Sequence, residues 1–362
     1  MKATLVLMLA AILGTSIRPQ QPSRDQDQPL KLNADLVTVS AAVTDTAGRT
    51  IRSLKAEDFK VYEDGVQQRI ARFARSEAPF TLMMLLDLSG STADDIMLIK
   101  RAAKSFLSEL RGGDKAGVIV FSGEVELISE FSDDANKAID RVATPRGAEG
   151  SRFTENTGTS FYDALFLAVE ESPLKQVEGR KAIVCMSDGV DSSSKMKYDE
   201  VARLVEKSDA SVYFLELNTE ALTLDRLLKP KSDADYANLS QSQVERYFDA
   251  YDKDSFDRHR DRRTLPPDLL RRLNHGLFEL ARREQRDLSG RTGGRVYEAR
   301  SLIDLEGVYR QVADDLRSQY LIEYYTTNNA HDGRWRSIRV EAHPANGPRP
   351  ANVRARSGYW AK

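Results

Sequence analysis

Residues 82–86, Leu-Met-Met-Leu-Leu, are apolar without a break, and the run stops at Asp87-Leu88-Ser89-Gly90-Ser91. A short apolar run bounded by polar residues reads as a strand buried on both faces, which needs helices packed on each side of its sheet. The next stretch has helical spacing: Ile96, Ile99, Ala103, Phe106 and Leu110 share one stripe. Asp87, Ser89 and Ser91 therefore sit on a strand-to-helix loop, at the carboxyl edge where open α/β sheets bind ligands. A carboxylate and two hydroxyls there form a hard, all-oxygen set suited to Mg²⁺, Mn²⁺ or Ca²⁺. A plain turn that caps a helix would use the same residue types.

The rest of 78–318 keeps the rhythm. Strands are expected at 116–122, 181–187, 211–217 and 295–298, with a hairpin partner at 125–132. Helices are expected at 134–142, 161–171, 198–208, 277–288 and 304–317. Alternation of this kind predicts a doubly wound, mainly parallel sheet covered on both faces. One stretch departs from it. Residues 219–274 are charge-rich and low in apolar periodicity, and read as an insertion with one or two surface helices.

Both ends of the chain are β in character. Residues 36–43 alternate, Glu63-Asp64-Gly65 offers a hairpin turn, and 68–73 resumes the alternation. Near the far end, 320–326, 335–342 and 353–360 read as strands. Neither end is large enough to bury a core alone. The economical solution is one small β-sandwich built from 32–77 and 319–362, with 78–318 inserted into it.

Residues 1–17 have a secretory pattern: Lys2, an apolar core, then Gly14-Thr15-Ser16. Residues 18–31 read as a flexible linker rich in Gln, Pro and Asp. The expected location is outside the cytoplasm, periplasmic or extracellular, with no membrane span after signal cleavage. A net charge of -2 and the lack of a basic stripe with interleaved aromatics argue against nucleic-acid binding. A single cysteine, Cys185, rules out an internal disulfide. The four histidines, His259, His275, His331 and His343, have no metal-binding spacing.

Two further loops reach the edge that carries Asp87. Thr157-Gly158-Thr159-Ser160 precedes a helix, and Ser187-Asp188-Gly189-Val190-Asp191 comes after a buried strand. With Asp-x-Ser-x-Ser, a distant Thr and a further Asp at a strand end, the sequence resembles the von Willebrand factor type A domain family and its metal-ion-dependent adhesion site. The flanks, Val43-Thr44-Asp45, Glu57-Asp58-Phe59, Glu63-Asp64-Gly65 and Arg356-Ser357-Gly358-Tyr359-Trp360, resemble exported bacterial proteins with a von Willebrand-related domain, a group abundant in acidobacteria. The resemblance implies that Ser89 and Ser91 bind a divalent ion through their hydroxyls. It implies that Thr159 joins them directly or through water, and that Asp87 and Asp188 hold the shell. It further implies a non-enzymatic protein-binding module whose partner presents an Asp or Glu carboxylate to the ion. Asp163 and Asp191, close by in sequence, read as turn and helix-terminus residues.

Two other classes compete with that one. A hydrolase of the α/β type would need a Gly-x-Ser-x-Gly elbow, and none ends a strand. A metal-assisted hydrolase would need a general base near the ion, and no histidine falls on the three loops. A purely structural ion would leave the same residues in the sequence.

Overall fold

The computed structural model describes residues 35–75, 79–132, 135–141, 158–229, 239–256, 259, 265–299, 305–344 and 352–361. The expected leader 1–17 and linker 18–31 lie outside these residues. So do 142–157, which include Thr157 of the loop before the helix expected at 161, and parts of the charged insertion.

In chain order the strands are β1 (Leu36–Thr44), β2 (Phe59–Glu63), β3 (Val66–Gln68), β4 (Ile70–Arg75), β5 (Phe80–Asp87), β6 (Lys115–Phe121), β7 (Val125–Ser132), β8 (Arg180–Ser187), β9 (Ser211–Leu217), β10 (Arg295–Ala299), β11 (Tyr320–Tyr325), β12 (Trp335–Ala342), β13 (Asn352–Ala355) and β14 (Gly358–Trp360). The helices are α1 (Ile96–Ser108), α2 (Ala135–Arg141), α3 (Phe161–Phe166), α4 (Tyr198–Lys207), α5 (Glu220–Leu228), α6 (Gln241–Tyr251), α7 (Pro267–Thr292) and α8 (Leu305–Arg317).

Six strands form the central sheet in the order β10-β9-β8-β5-β6-β7, all parallel except β7, which returns antiparallel on β6. The central place of β5 accounts for its apolar run. Leu82, Met84 and Leu86 point into one layer, with Ile99, Phe106, Tyr309 and Val312 from α1 and α8. Met83 and Leu85 point into the other, with Phe161, Leu165, Val201 and Leu288 from α3, α4 and α7. Strand side chains alternate between faces, so two covered faces leave no position for a polar residue. Cys185 sits fully buried in the second layer.

The two chain ends build two four-stranded sheets, β13-β1-β11-β4 and β14-β12-β2-β3, each mixing early and late strands. Val39, Ala41, Phe59, Val61, Tyr320, Ile322 and Ile338 meet in one shared core. Buried Glu63 of β2 accepts hydrogen bonds from Tyr324 Oη (2.8 Å), Thr326 Oγ1 (2.6 Å) and Tyr359 Oη (3.0 Å), which joins the two ends by polar contacts as well.

Two elements differ from the sequence expectation. The single strand expected over 353–360 is two strands, one in each end sheet. The chain crosses between them at Arg356 and Ser357, where Ser357 N–H donates to the Arg291 carbonyl at 2.9 Å. The helix expected at 277–288 is the 26-residue α7. Its start lies inside the charged stretch, at a Pro-Pro pair suited to a first helical turn. Leu269, Leu273, Leu277 and Ala281 repeat at every fourth residue and are buried against Leu227, Val244 and Phe248 of α5 and α6. Charges on the other positions masked that stripe in the sequence. Among the described residues, no helix is long and apolar enough to cross a membrane.

Candidate metal centre

Strand β5 ends at Asp87, which is fully buried. The chain turns at once, because Asp87 Oδ1 accepts the Ser89 N–H at 2.9 Å. Thr92 Oγ1 pins the turn by donating to the carbonyls of Asp87 and Ser89, each at 3.0 Å. Leu88 N–H reaches across to the Phe121 carbonyl of β6 at 2.8 Å. The outcome is a tight loop that holds Ser89 Oγ and Ser91 Oγ 3.2 Å apart.

The loop after β8 closes on the first. Ser187 Oγ donates to Asp87 Oδ2, and the Ser91 hydroxyl lies near enough to Asp188 to favour its charged form. Asp188 Oδ1 accepts the Val190 N–H at 2.9 Å, and Asp188 Oδ2 accepts Thr219 Oγ1 at 2.5 Å. Gly189 has φ +76, a conformation that side chains rarely adopt, and a Cβ there would also push aside the Gln285 amide of α7. Asp87, Ser89 and Ser91 thus belong to one hydrogen-bonded cluster, and Asp188, held by Val190 and Thr219, lies beside it.

Thr159 lies on the third loop, which is stitched to both neighbours. Ser160 N–H donates to the Ser122 carbonyl, just beyond β6, at 2.6 Å. Thr159 N–H donates to Ser192 Oγ at 2.6 Å, and the Thr159 carbonyl accepts the Ser192 N–H at 2.9 Å. Asp191 Oδ1 accepts the Phe161 N–H at 3.0 Å, at the start of α3. Asp163 accepts from the N–H groups of Lys195 and Met196. Both acids tie loops together, in keeping with the turn role read from sequence.

Three contributors carry no mark in the motif. Ser187 and Thr219 are the hydroxyl donors to the two acids. A signal for each was present, since both lie at or just beyond the carboxyl ends of buried strands. Arg226, on α5, donates from Nη1 to the Gly90 carbonyl, and its distance in sequence gave no sign of that contact.

The two acids sit in an unfavourable field. Burial, and then the charge of Asp188, pushes the Asp87 carboxyl from 3.8 up to about 7, against the pull of the Ser187 and Ser89 hydrogen bonds. Burial raises Asp188 as well. The cation whose charge reaches Asp188 is Arg282, and that guanidinium is already held by Glu216 (3.0 Å), Glu220 (2.7 Å) and Glu279 (2.9 Å). Two buried carboxylates facing neutral hydroxyls fit a divalent cation, which would compensate their charge. Among the described residues, no group of three His, Cys, Asp or Glu side chains is placed to hold a metal. The hydroxyls and carboxylates gathered at this edge form an all-oxygen set, which suits a hard cation.

A parallel sheet with a hydroxyl-rich, acid-backed loop cluster at its carboxyl edge defines a class of α/β binding domain. Residues 82–190 match the family model of the von Willebrand factor type A domain, and this segment is a domain of that family. No curated protein matches the chain. Solved structures similar to it include an aerotolerance-related membrane protein from Bacteroides fragilis, with 14% identity over 66% of this chain and 98% of that one, at a TM-score of 0.40. Another is BatB from Bacteroides thetaiotaomicron, with 16% identity over 66% and 100% of the two chains and a TM-score of 0.39. A third is proximal thread matrix protein 1 from the mussel byssus, with zinc in its MIDAS motif. It shows 14% identity over 67% and 48% of the two chains, and a TM-score of 0.37.

Proposed function

We propose that this chain is a non-enzymatic, metal-dependent protein-binding module that acts outside the cytoplasm. The observation that carries the reading is the pair of buried acids, Asp87 and Asp188, beside the paired hydroxyls of Ser89 and Ser91 at the sheet edge. Ser89, Ser91 and Thr159 would hold a divalent cation, Mg²⁺ or Mn²⁺ before Ca²⁺, with Asp87 and Asp188 orienting the shell. When bound, the cation supplies a positive clamp for a carboxylate of an acidic partner. Neutral hydroxyl ligands leave much of its charge for that carboxylate to meet.

The insertion belongs to this surface. Arg226 of α5 holds the Gly90 carbonyl, and Ser242 of α6 donates to the Ser192 carbonyl at 2.9 Å. Its helices thus touch two of the three loops, and we assign them the choice of partner. The secretory pattern of residues 1–17 supports a periplasmic or extracellular location.

The test is calorimetric titration of Mg²⁺ and Mn²⁺ into the chain, beside a Ser89→Ala, Ser91→Ala double variant of matched stability. Saturable binding that vanishes in the variant supports the site. An acidic peptide that binds only with metal, and is released by chelator, supports the clamp. Metal binding without any peptide binding would reduce the ion to a structural role, and equal binding by both proteins would place it elsewhere.

A further inference from the structure

The loop after β8 rests on the helices behind it. Val190 is buried in the apolar cluster of α5, α6 and α7, with Leu227, Val244 and Leu277. Asp188, two residues earlier, lies beside the hydroxyls of the metal centre. Gly189 stands between them and touches the donors of both acids. Its N–H donates to Ser187 Oγ at 2.9 Å, and Ser187 Oγ donates in turn to Asp87 Oδ2. The next N–H, of Val190, donates to Asp188 Oδ1 at 2.9 Å. The course of the backbone at Gly189 therefore governs how Asp87 and Asp188 are held.

Gln285 of α7 covers this glycine. The nearest atoms that a Cβ on Gly189 would meet are Nε2, Cδ and Cγ of Gln285, so the amide end of that side chain lies over the glycine. Gln285 is fully buried, and among the described residues neither its Nε2 nor its Oε1 has a hydrogen-bond partner. No other buried side chain among the described residues lacks a partner for a donor and an acceptor at once. An amide in that condition carries the desolvation cost of both groups, whereas an apolar chain of the same length would fill the space without it. Packing alone would select the apolar chain. The amide has a use where the loop offers it partners, and the peptide groups it touches are those around Gly189. Glycine lets them turn, because it adopts either sign of φ at little cost.

We propose that Gln285 is a positioning residue for the metal centre, an inference that rests on the metal-binding reading of the site. As Asp188 turns its charge toward a bound divalent cation, the loop reseats at Gly189 and its peptide groups meet the Gln285 amide. Nε2 donates to a loop carbonyl, and Oε1 accepts a loop N–H. The helix then holds the loop in the ion-bound arrangement, and the desolvation cost of the amide is relieved only there. Gln285 thus adds to ion affinity without touching the ion. It also joins the metal centre to the helix on which α5 and α6 are packed.

The test compares the full chain with Gln285→Met, which keeps an unbranched side chain of similar length and removes the amide. Mg²⁺ is titrated into both by calorimetry, and both are unfolded by urea in chelator. The Gln285→Met chain should bind Mg²⁺ about five- to tenfold more weakly, while its unfolding midpoint in chelator stays at or above that of the parent. A merely structural amide would not give that split, since its loss would lower stability in chelator or leave ion affinity alone. A second readout uses the parent chain itself. The side-chain amide signals of Gln285 in a ¹⁵N–¹H spectrum, assigned through its backbone, should move downfield when Mg²⁺ is added. A Gln285→Met chain that binds Mg²⁺ like the parent would overturn the proposal and leave the metal centre standing. So would a Gln285→Met chain less stable than the parent in chelator, or amide signals that Mg²⁺ does not move. A parent chain that binds no Mg²⁺ would remove the metal centre, and this role of Gln285 with it.

Discussion

The two edges of the central sheet meet their charges differently. At the carboxyl edge, the buried acids Asp87 and Asp188 are met mainly by hydroxyl and backbone donors. At the amino edge, Asp114 is paired with Arg317 and Asp209 with Arg356. One sheet presents acids held by neutral groups at one end and matched ion pairs at the other. The difference shows how each edge is built. The carboxyl edge is made by three loops of a single α/β unit, each leaving a strand or entering a helix. The amino edge is closed by residues from the far end of the chain, and its chemistry depends on how the terminal strands are laid down.

Protonation should separate the two edges most sharply. Asp87 titrates in the folded chain at about 7 against 3.8 ordinarily, so the folded state binds the extra proton between these values. The Asp87 contribution to metal-free stability should therefore be lost as pH rises from about 4 through about 7. Saturating Mg²⁺ should offset that loss, because it favours the ionised acids. Asp87→Asn should flatten the slope. Chemical denaturation across this range in chelator reads all three, and a metal-free chain whose stability rises through the window would break the account. Next in size, the Ser89→Ala, Ser91→Ala chain should lose about a hundredfold or more in metal affinity while its metal-free melting temperature stays within a few degrees of the parent's. A large parallel loss of stability would show unfolding rather than loss of a site. Thr219→Ala, which removes the hydroxyl from Asp188, should cost metal affinity about tenfold and stability about 1–2 kcal/mol.

Chain distance decides how far the sequence exposes each edge. The buried strands β5, β8 and β9 were legible because two covered faces permit only apolar residues. The acids and hydroxyls at their ends were legible because a loop position sits one or two residues past a strand. Ser187 and Thr219 met the same condition but lie outside the motif, so nothing in the spacing singled them out. Arg226 and the α7 stripe of Leu269, Leu273 and Leu277 were harder to see, since charges on the solvent side of a helix dilute its apolar spacing. The pairing of Asp209 with Arg356 at the amino edge was not legible at all. It arises where 353–360 divides into β13 and β14, and nothing in a run of alternating residues states that its two halves join different sheets.

The smallest expected effect tests whether the insertion belongs to the carboxyl edge in function as well as in position. Arg226 touches the Asp87–Ser91 loop through the Gly90 carbonyl, a backbone group, so it constrains the loop without offering an oxygen to an ion. Arg226→Ala should leave the divalent-ion affinity within about threefold of the parent and cost less than about 1 kcal/mol in stability. Its effect should appear instead in the binding of an acidic peptide with metal present, where a looser loop and the loss of a nearby cation both weaken capture, about three- to fivefold. A variant that loses metal and peptide in equal measure would make α5 a brace for the ion. One that loses neither would detach the insertion from the site and leave the choice of partner to the three loops alone.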